Sequence, residues 1–376
     1  MRIAKNIIIT IATIFSLIYA LNLEYFVKGV RVVYLNGYTT VYIDDYKYFD
    51  NEIINTSNPK DWILHTNYNN YKEDSSFEEF NSEMETSAFL IIENDSLLVE
   101  KYYDGYDDSS MTNSFSMSKT ILSLILGKAI EDGFIKGLDQ KVIEFIPELK
   151  GKFAKDVRII DLAQMSSGLK WNEATFNPFS VIAKTYFVDD LNKLILDQPF
   201  EKTPGKEFDY SSGNTQFLSI VIERATGKKI AEYFSENFWQ KMNAQNDALW
   251  QLDSFESGNV KAFCCFISTA KDISRIGKLY LNNGDWNGTR LINSSFIENS
   301  IKAKVSDIYG IGTWLTNYKG LDIAMMRGHL GQYVIIIPEK KLIITRTGKK
   351  YMDNGAIEIT EDSFIYIDEA LRIVDN

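Results

Sequence analysis

Short apolar runs separated by turn residues dominate the last third of the chain and predict β-strands. Four such runs occur there: 311–315, 323–326, 333–337 and 342–347. An earlier pair of runs, 88–92 and 97–103, meets at Asn94 and Asp95, which is typical of a β-hairpin. The sequence therefore predicts a hairpin and, much later in the chain, an antiparallel meander.

Apolar residues at helical spacing predict helices around those strands. One helix begins near Ser116 and is apolar on nearly all sides as far as Ile130, with Gly133 as a natural stop. Three others cover residues 215–225, 269–282 and 361–373. A hairpin and a meander that are separated by helices and closed by a terminal helix predict an α/β protein of the α+β type, with one antiparallel sheet flanked by helices.

The first 23 residues have the composition of an export signal or a short membrane anchor. Arg2 and Lys5 precede an apolar run over residues 7–23, which predicts that the rest of the chain lies outside the cytoplasm. Bulky Ile18, two positions before Ala20, makes a poor signal-peptidase site. We therefore expect a retained membrane anchor; the alternatives are a cleaved signal with a secreted protein, and a buried core helix.

The rest of the chain divides into a connecting segment and one large domain. Residues 24–84 are rich in Tyr, Asn and Asp and contain two strand-like fragments, 30–35 and 39–43. Residues 85–376 are enough for a single core. Within them, residues 138–261 have a mostly helical and loop-like pattern, which predicts a helical subdomain.

Charge and cysteine usage exclude several kinds of partner. The 376 residues contain 40 Lys and Arg against 51 Asp and Glu, a formal charge of -11 that is spread along the chain, so we expect no nucleic acid. Cys264 and Cys265 are neighbours that rarely meet disulfide geometry, and we expect two buried small hydrophobic residues. We expect no metal, because the cysteines and the two histidines are far apart, and we also expect no organic cofactor.

A Ser-x-x-Lys tetrad at the head of a helix places a serine and a lysine on one face, which is how a serine nucleophile without histidine is built. Two of the four tetrads in this chain, 57–60 and 167–170, enclose Pro or Gly and are typical of loops. A third, 268–271, fits a helix cap. Only Ser116 and Lys119 head a helix with a buried pattern, although a serine there also suits a plain N-terminal cap.

Penicillin-recognising enzymes combine such a tetrad with a Ser/Tyr-x-Asn element and a Lys-Thr-Gly element. Residues 210–212 (Tyr-Ser-Ser), just before helix 215–225, fit the second element, and residues 329–331 (His-Leu-Gly), between two strands, fit the third. Residues 346–348 (Arg-Thr-Gly) are a rival third element that ranks lower, because they end the last strand pair. A Ser-His-Asp hydrolase is disfavoured, since the chain has no Gly-x-Ser-x-Gly elbow and His65 lies in a polar region.

With these motifs in order, the chain resembles the class C β-lactamase-related serine hydrolases, and most of all the branch that contains 6-aminohexanoate-dimer (nylon oligomer) hydrolase. The resemblance covers roughly residues 85–350. Six segments carry it: 114–120, 162–171, 204–216, 248–253, 262–281 and 327–338. It implies a β-lactamase/transpeptidase-like fold and a covalent acyl-serine mechanism.

The resemblance also implies roles for individual residues. Ser116 is the nucleophile, and Lys119 and Tyr210 share the work of taking its proton and returning one to the leaving group. The backbone N–H groups of Ser116 and Gln332 form the oxyanion hole. The residues implied in substrate binding are Ser212, His329 and Gly331.

Two of these positions depart from the common pattern. Ser212 stands where many relatives have Asn, although the nylon-oligomer branch also has a hydroxyl there. His329 replaces a lysine, a permanent cation that would hold the carboxylate of a β-lactam or a peptide. We therefore expect a hydrolase of a small ester or amide; the alternatives are a D-Ala-D-Ala peptidase or β-lactamase, and a non-catalytic binding module with the same fold.

Overall fold

The computed structural model describes residues 18–175, 177–352 and 359–375, together with residues 5, 6, 10, 13 and 16. Its strands are β1 (Asn51–Ile54), β2 (Ile63–Leu64), β3 (Thr86–Glu93), β4 (Ser96–Tyr102), β5 (Met111–Asn113), β6 (Ala248–Gln251), β7 (Phe266–Thr269), β8 (Asp285–Trp286), β9 (Thr289–Arg290), β10 (Trp314–Tyr318), β11 (Leu321–Gly328), β12 (Gln332–Ile337) and β13 (Leu342–Gly348). Its α-helices are α1 (Glu24–Val32), α2 (Ser75–Glu83), α3 (Ser118–Glu131), α4 (Ile159–Ala163), α5 (Val181–Phe187), α6 (Leu191–Leu196), α7 (Ser212–Thr226), α8 (Ile230–Phe234), α9 (Ala270–Leu281), α10 (Ser294–Ser300) and α11 (Glu361–Val374).

A seven-stranded sheet forms the centre of the fold, with strand order β10-β11-β12-β13-β3-β4-β2. Neighbouring strands are antiparallel except β2 and β4, which run parallel. The β3–β4 hairpin turns at Asn94 and Asp95, whose φ values of 48° and 64° lie in the left-handed region that a tight hairpin turn requires. The predicted hairpin and meander are confirmed, and the pairing of β13 with β3 joins them into one sheet.

Helices cover both faces of this sheet, as an α+β fold requires. On one face α9 approaches so closely that a Cβ on Gly277 would lie 2.8 Å from side-chain atoms of Ile343 and Val334. On the other face α11 buries Tyr366, whose ring centroid lies 5.8 Å from that of Phe89 on β3. Apolar side chains are therefore buried away from water on both faces of the sheet, and this burial stabilises the sheet between its two helical layers.

A second sheet, with strand order β1-β6-β7-β5, was not predicted from the sequence. Its edge strand β1 belongs to the connecting segment 24–84 and pairs with β6, Asn51 opposite Gln251. Between α3 and β6 the described chain forms helices and loops without a strand of either sheet. The domain limits inferred from the sequence, including the helical subdomain 138–261, stay a prediction.

The N-terminal segment differs from the expectation. The strand predicted at residues 30–35 is wrong, because residues 30–32 are the end of helix α1 and Tyr34–Asn36 form a 3-10 turn. Tyr25 and Gly29 lie one turn apart on α1 and are buried. The fragment 39–43 forms no strand either. About half of the predicted anchor at residues 1–23 lies outside the described residues. Within the part that the structure describes, no helix is long and apolar enough to cross a membrane.

Candidate active site

Ser116 lies in a tight turn at the head of α3. Phe115–Met117 form a 3-10 turn that continues into the helix, and Phe115 adopts a φ of 48°, which is uncommon for an aromatic residue. The Ser118 hydroxyl donates to the Phe115 carbonyl oxygen at 2.8 Å and holds this turn closed. Lys119 is only 3% exposed, and its Nζ lies 2.9 Å from Ser116 Oγ. The structure therefore brings the predicted nucleophile and the lysine together.

The Lys119 amine has three polar partners. Besides the Ser116 hydroxyl, Nζ donates to Ser212 Oγ at 3.1 Å and to the Phe263 carbonyl oxygen at 2.8 Å. A carbonyl oxygen can only accept, and the Ser212 hydroxyl also accepts, because its own proton is donated to Glu173. Two N–H groups are thus committed. The third position on the Lys119 nitrogen faces Ser116. It is a lone pair when Lys119 is a neutral amine and an N–H when it is an ammonium, so one proton can move between the two residues.

Glu173 supplies the negative charge of the site. Its Oε1 accepts from Ser212 Oγ at 2.5 Å, and its Oε2 accepts from the Ser212 backbone N–H at 2.9 Å and from Trp171 Nε1 at 2.5 Å. Ser212 is the first residue of α7, so the carboxylate also satisfies an N–H that has no partner within the helix. The Glu173 carboxylate therefore fixes the Ser212 hydroxyl as an acceptor toward Lys119.

Tyr210 lies beside Lys119 in an aromatic cluster. Its ring centroid is 5.0 Å from Lys119 Nζ, 5.2 Å from the ring centroid of Trp314 and 5.9 Å from that of Tyr309. A cation at this distance from a ring is attracted by the ring face. The Tyr210 hydroxyl makes no hydrogen bond to another described residue. The structure thus places Tyr210 against the lysine but not in a hydrogen bond with Ser116.

The third element follows β11 where this strand touches the nucleophile turn. A Cβ on Gly328 would overlap the Ser114 carbonyl oxygen, so the strand lies directly against that turn. The chain then turns through His329–Gly331, with Leu330 at a φ of 61°, and resumes as β12 at Gln332, which pairs with Gly328. The predicted second oxyanion donor, the Gln332 backbone N–H, therefore lies in the strand pair that borders the nucleophile.

His329 is held in its neutral form. Burial, and to a lesser extent the charge of Arg327, lowers the pKa of His329 to about 4. Its Nε2 lies 3.3 Å from Thr40 Oγ1, and its ring packs edge-on against Phe115 with 5.5 Å between centroids. Near neutral pH the third element thus lacks the positive charge with which a lysine would hold a carboxylate.

The rival third element has a structural purpose. The Arg346 guanidinium is fully buried, and its Nη1 donates to the carbonyl oxygens of Leu330 and Gly331 at 2.9 and 2.8 Å. Its Nη2 donates to the Met84 carbonyl oxygen at 2.6 Å. Arg346 therefore supports the turn at residues 329–331 from behind, which agrees with its lower rank.

The other three tetrads have the local structures that their sequences predict. Residues 57–60 and 167–170 lie in loops. At the third tetrad, Thr269 is the N-cap of α9 and its hydroxyl accepts from the Asp272 backbone N–H at 3.2 Å. The loop and capping predictions are confirmed.

Comparison with known proteins agrees with this geometry. A family model described as Beta-lactamase matches residues 74–351. The chain belongs to the Beta-lactamase family. This confirms the family resemblance and the β-lactamase/transpeptidase-like fold that it implied.

Proteins similar to this chain include 6-aminohexanoate-dimer hydrolases and a carboxylesterase. The chain is 27% identical over 228 residues to 6-aminohexanoate-dimer hydrolase of Paenarthrobacter ureafaciens, which covers 57% of this chain and 56% of that protein, so the match spans about half of that relative. A solved structure of a candidate 6-aminohexanoate-dimer hydrolase from Bacillus anthracis is similar with a TM-score of 0.73 and 19% identity, covering 89% of this chain and 94% of that chain. A family VIII carboxylesterase is similar with a TM-score of 0.64 and 16% identity, covering 83% of this chain and 99% of that chain. The two structural likenesses show the fold.

The sequence analysis did not predict two groups of this site, the Glu173 carboxylate and the Phe263 carbonyl oxygen. Glu173 is the more important of them, and its only signal was a position two residues beyond the segment 162–171 that carried the resemblance. The Phe263 carbonyl oxygen is a backbone group, which no side-chain pattern can indicate. Both reach Lys119 or its partner Ser212 only after distant loops have folded together.

The two cysteines beside Phe263 correct another expectation. Cys264 and Cys265 form a disulfide with each other instead of remaining unlinked hydrophobic residues. Cys265 adopts a φ of 71°, and this left-handed backbone brings the two neighbouring side chains to the same side of the chain. Both residues are buried, as predicted.

A metal site is not evident in the described part of the chain. No three or more His, Cys, Asp or Glu side chains are grouped there in a way that could hold a metal ion. The absence of metal and organic cofactors therefore stays a prediction from the sequence.

Proposed function

We propose that this protein is a serine hydrolase that cleaves an ester or a small amide through an acyl-Ser116 intermediate. The observation that carries the proposal is the 2.9 Å contact between Lys119 Nζ and Ser116 Oγ. The other two N–H groups of the amine are committed to Ser212 and Phe263. In its neutral form, Lys119 therefore aims its lone pair at the hydroxyl that has to lose a proton.

The reaction then follows from the positions of these groups. Ser116 Oγ bonds to the carbonyl carbon while its proton moves to Lys119, whose ammonium donates to the Ser212 hydroxyl that Glu173 fixes as an acceptor. The carbonyl oxygen becomes an oxyanion that accepts from the backbone N–H groups of Ser116 and Gln332. The bond to the leaving group breaks as that group takes a proton, relayed from Lys119 by the Tyr210 hydroxyl. Water then cleaves the acyl-serine, which releases the carboxylic acid and restores the hydroxyl.

The neutral third element favours esters and small amides over β-lactams and cell-wall peptides. Those alternative substrates carry a carboxylate, which a lysine would pair with but a neutral His329 does not. The names of two similar proteins, a 6-aminohexanoate-dimer hydrolase and a carboxylesterase, support a hydrolase whose substrate is not a β-lactam.

Labelling with a fluorophosphonate probe tests the proposed nucleophile. The wild-type protein and a Ser57→Ala control, which removes the serine of a loop tetrad, are expected to be labelled, whereas Ser116→Ala is not. Equal labelling of wild type and Ser116→Ala would exclude Ser116 as the nucleophile. Labelling without turnover of any substrate would favour the binding module.

Turnover of three substrates tests the substrate class. We expect p-nitrophenyl esters, which carry no carboxylate, to be hydrolysed faster than nitrocefin, a chromogenic β-lactam, and faster than 6-aminohexanoate dimer, because the site lacks a cation for the carboxylate of either. Dominant turnover of nitrocefin would reverse this ranking in favour of a β-lactamase.

We also propose that residues 1–23 export the chain and hold it at the membrane, with the catalytic domain outside the cytoplasm. The basic residues before the apolar run support this orientation. Fractionation of the expressed protein, followed by N-terminal sequencing, is expected to find an intact N-terminus in the membrane fraction. A processed N-terminus in the soluble fraction would favour a cleaved signal.

A further inference from the structure

An apolar cavity of about 140 Å³ opens directly onto Ser116. Its roof is formed by residues 24–43, which we call the roof segment. On α1 and at the residue that caps its end, the residues that line the cavity recur at helical spacing: Tyr25, Phe26, Gly29, Val30 and Val33. The roof segment lies outside the residues 74–351 that the family model matches, so family membership by itself does not account for it.

Contacts at both ends hold the roof segment over the site. Near its start, Lys28 Nζ pairs with Asp189 Oδ1 at 2.8 Å. Near its end, the Ile43 carbonyl oxygen accepts from the Asn113 backbone N–H at 2.9 Å, next to the nucleophile turn. Between these points a Cβ on Gly29 would lie 3.3 Å from a ring atom of α5, so α1 packs closely on that helix. The roof segment therefore packs against α5 and next to the nucleophile turn, and forms one wall of the site.

The walls of the cavity fit an uncharged alkyl chain. Residues of α5 form the wall that faces the roof: Ile182, Ala183, Tyr186 and Phe187. No lysine or arginine is among the described lining residues. Glu173 is the one carboxylate among them, and both of its oxygens already accept hydrogen bonds from Ser212 and Trp171. His329 is neutral, so neither an anionic nor a cationic group finds an unpaired partner of opposite charge there.

The position of Tyr210 decides which half of a substrate lies in the cavity. In the proposed reaction the leaving group takes its proton from Tyr210, so it departs on the side of that hydroxyl. Ser116, Ser212 and His329 line the cavity, whereas Tyr210 is not among its described lining residues. The cavity is thus on the acyl side of the scissile bond.

We propose that this cavity binds the alkyl chain of the acyl group of a monocarboxylic ester, and that the roof segment is one wall of the acyl site. The chain enters the cavity with the substrate and stays there as acyl-Ser116 until water releases the carboxylic acid. The inference rests on the proposed hydrolase function, and it adds a substrate class and a segment of the protein to it.

Hydrolysis of p-nitrophenyl acetate, butyrate and hexanoate by the full-length wild-type protein tests the acyl site. The value of kcat/KM is expected to rise by about fourfold for each methylene group that the cavity removes from water. A flat or falling series in an enzyme that hydrolyses the acetate would overturn the acyl site and leave the hydrolase proposal standing. Failure of all three esters together with unlabelled Ser116 would instead overturn the hydrolase proposal.

A pair of variants on one helix tests the roof segment. Val30→Phe fills the cavity, and we expect the ratio of kcat/KM for hexanoate to that for acetate to fall by about fifteenfold, which corresponds to two methylene groups that no longer fit in the cavity. Val27 is 43% exposed on the same helix, and the matched control Val27→Phe is expected to keep the wild-type ratio. Equal ratios in both variants and the wild type would overturn the assignment of the roof.

A third variant covers the case in which Val30→Phe does not fold, as judged by loss of fluorophosphonate labelling. Val30→Ala enlarges the cavity instead of filling it, and is expected to shift the preferred ester toward longer acyl chains, tested up to octanoate and decanoate. An optimum that stays at the wild-type chain length would again overturn the assignment.

Discussion

The Glu173 carboxylate holds Ser212 at two atoms, accepting its hydroxyl at 2.5 Å and its backbone N–H at 2.9 Å. This pairing decides what Ser212 can do toward Lys119, because a hydroxyl whose proton is donated elsewhere can only accept. A loop carboxylate that does not contact Ser116 by a hydrogen bond thereby sets the orientation of the lysine that does. Glu173 acts as a positioning residue.

Replacement of Glu173 by Gln is expected to lower kcat/KM for p-nitrophenyl esters by roughly ten- to a hundredfold, because a hydrogen bond to a charged group is worth about 1.5–3 kcal/mol. The amide keeps the size of the side chain but removes the charge that holds the Ser212 hydroxyl as an acceptor toward Lys119. The loss is expected in kcat, with KM little changed, because Lys119 acts on the reacting bond.

A surface carboxylate provides the control for this change. Glu201 pairs with Lys170 at 3.4 Å, and both side chains are at least half exposed, so Glu201→Gln is expected to leave kcat and KM unchanged. If Glu173→Gln lowers the melting temperature but keeps the wild-type kcat, Glu173 is structural only.

Tyr210→Phe is expected to lower kcat/KM by at least about a hundredfold, the usual contribution of a general acid–base group. The remaining ring can still pack against Trp314 and Tyr309. The lost hydroxyl has no hydrogen bond to another described residue, so we expect a wild-type melting temperature. Steady-state kinetics and thermal unfolding of the same preparation measure both effects.

The neighbouring Tyr309 offers a matched control. Its hydroxyl is buried and has no hydrogen-bond partner in the part of the chain that the structure describes. Tyr309→Phe removes this unsatisfied group, and is therefore expected to keep the activity and to stabilise the fold by about 1 kcal/mol. A comparable loss of activity in both variants would mean that the aromatic cluster, and not the Tyr210 hydroxyl, is what the reaction requires.

The parts of the site that the sequence predicted are those with a local cause. Ser116 and Lys119 lie one helical turn apart in a segment whose apolar pattern shows that it is buried, so their contact follows from helix geometry alone. Tyr210 and His329 were predicted because their motifs follow the Ser-x-x-Lys tetrad in the order typical of the family, and that order indicates a shared fold. Their positions relative to Lys119 depend on how distant segments pack.

The parts that were missed depend on long-range contacts. Glu173 reaches Ser212 only because the loop after Trp171 folds back over the start of α7. The fragment 30–35 is rich in β-branched residues and therefore suggested a strand. Its first three residues instead belong to α1, which ends at Val32 and packs against α5. Tertiary contacts of this kind override local propensity, and they also built the roof segment over the cavity.

The neutral His329 makes the free energy of unfolding depend on pH. Its pKa is about 4 in the fold, against an ordinary value of 6.5. Between these values the unfolded chain binds a proton that the folded chain does not, so the free energy of unfolding falls as the pH drops from about 6.5 to about 4. The loss is at most about 3 kcal/mol, and smaller where solvent in the cavity screens the charge.

Denaturant unfolding at several pH values measures this loss. His329→Gln is expected to remove it, because the variant has no proton to bind in that range. His65→Gln, which changes the other histidine far from the site, is expected to keep it. An unchanged acid-side slope in His329→Gln would show that the loss arises from other groups.

Gly328 supplies a prediction about how the nucleophile is held. Its backbone has a φ of -124°, which any residue can adopt, so Gly328→Ala is not strained by conformation. The added Cβ would instead overlap the Ser114 carbonyl oxygen, a backbone atom that cannot rotate away. Either β11 or the nucleophile turn has to shift, and a misplacement of about 1 Å is expected to lower kcat by about a hundredfold.

Gly277→Ala separates this effect from a general loss of stability. Its added Cβ would also be crowded, at 2.8 Å from side-chain atoms of Ile343 and Val334, but on the α9 face of the sheet. Overpacking there is expected to destabilise the fold by about 1–3 kcal/mol without moving the nucleophile turn. When active sites are counted by fluorophosphonate labelling below the melting temperature, Gly277→Ala should have the wild-type kcat per site and Gly328→Ala should not. Equal kcat values per site in the two variants would show that the contact between β11 and the turn does not position Ser116.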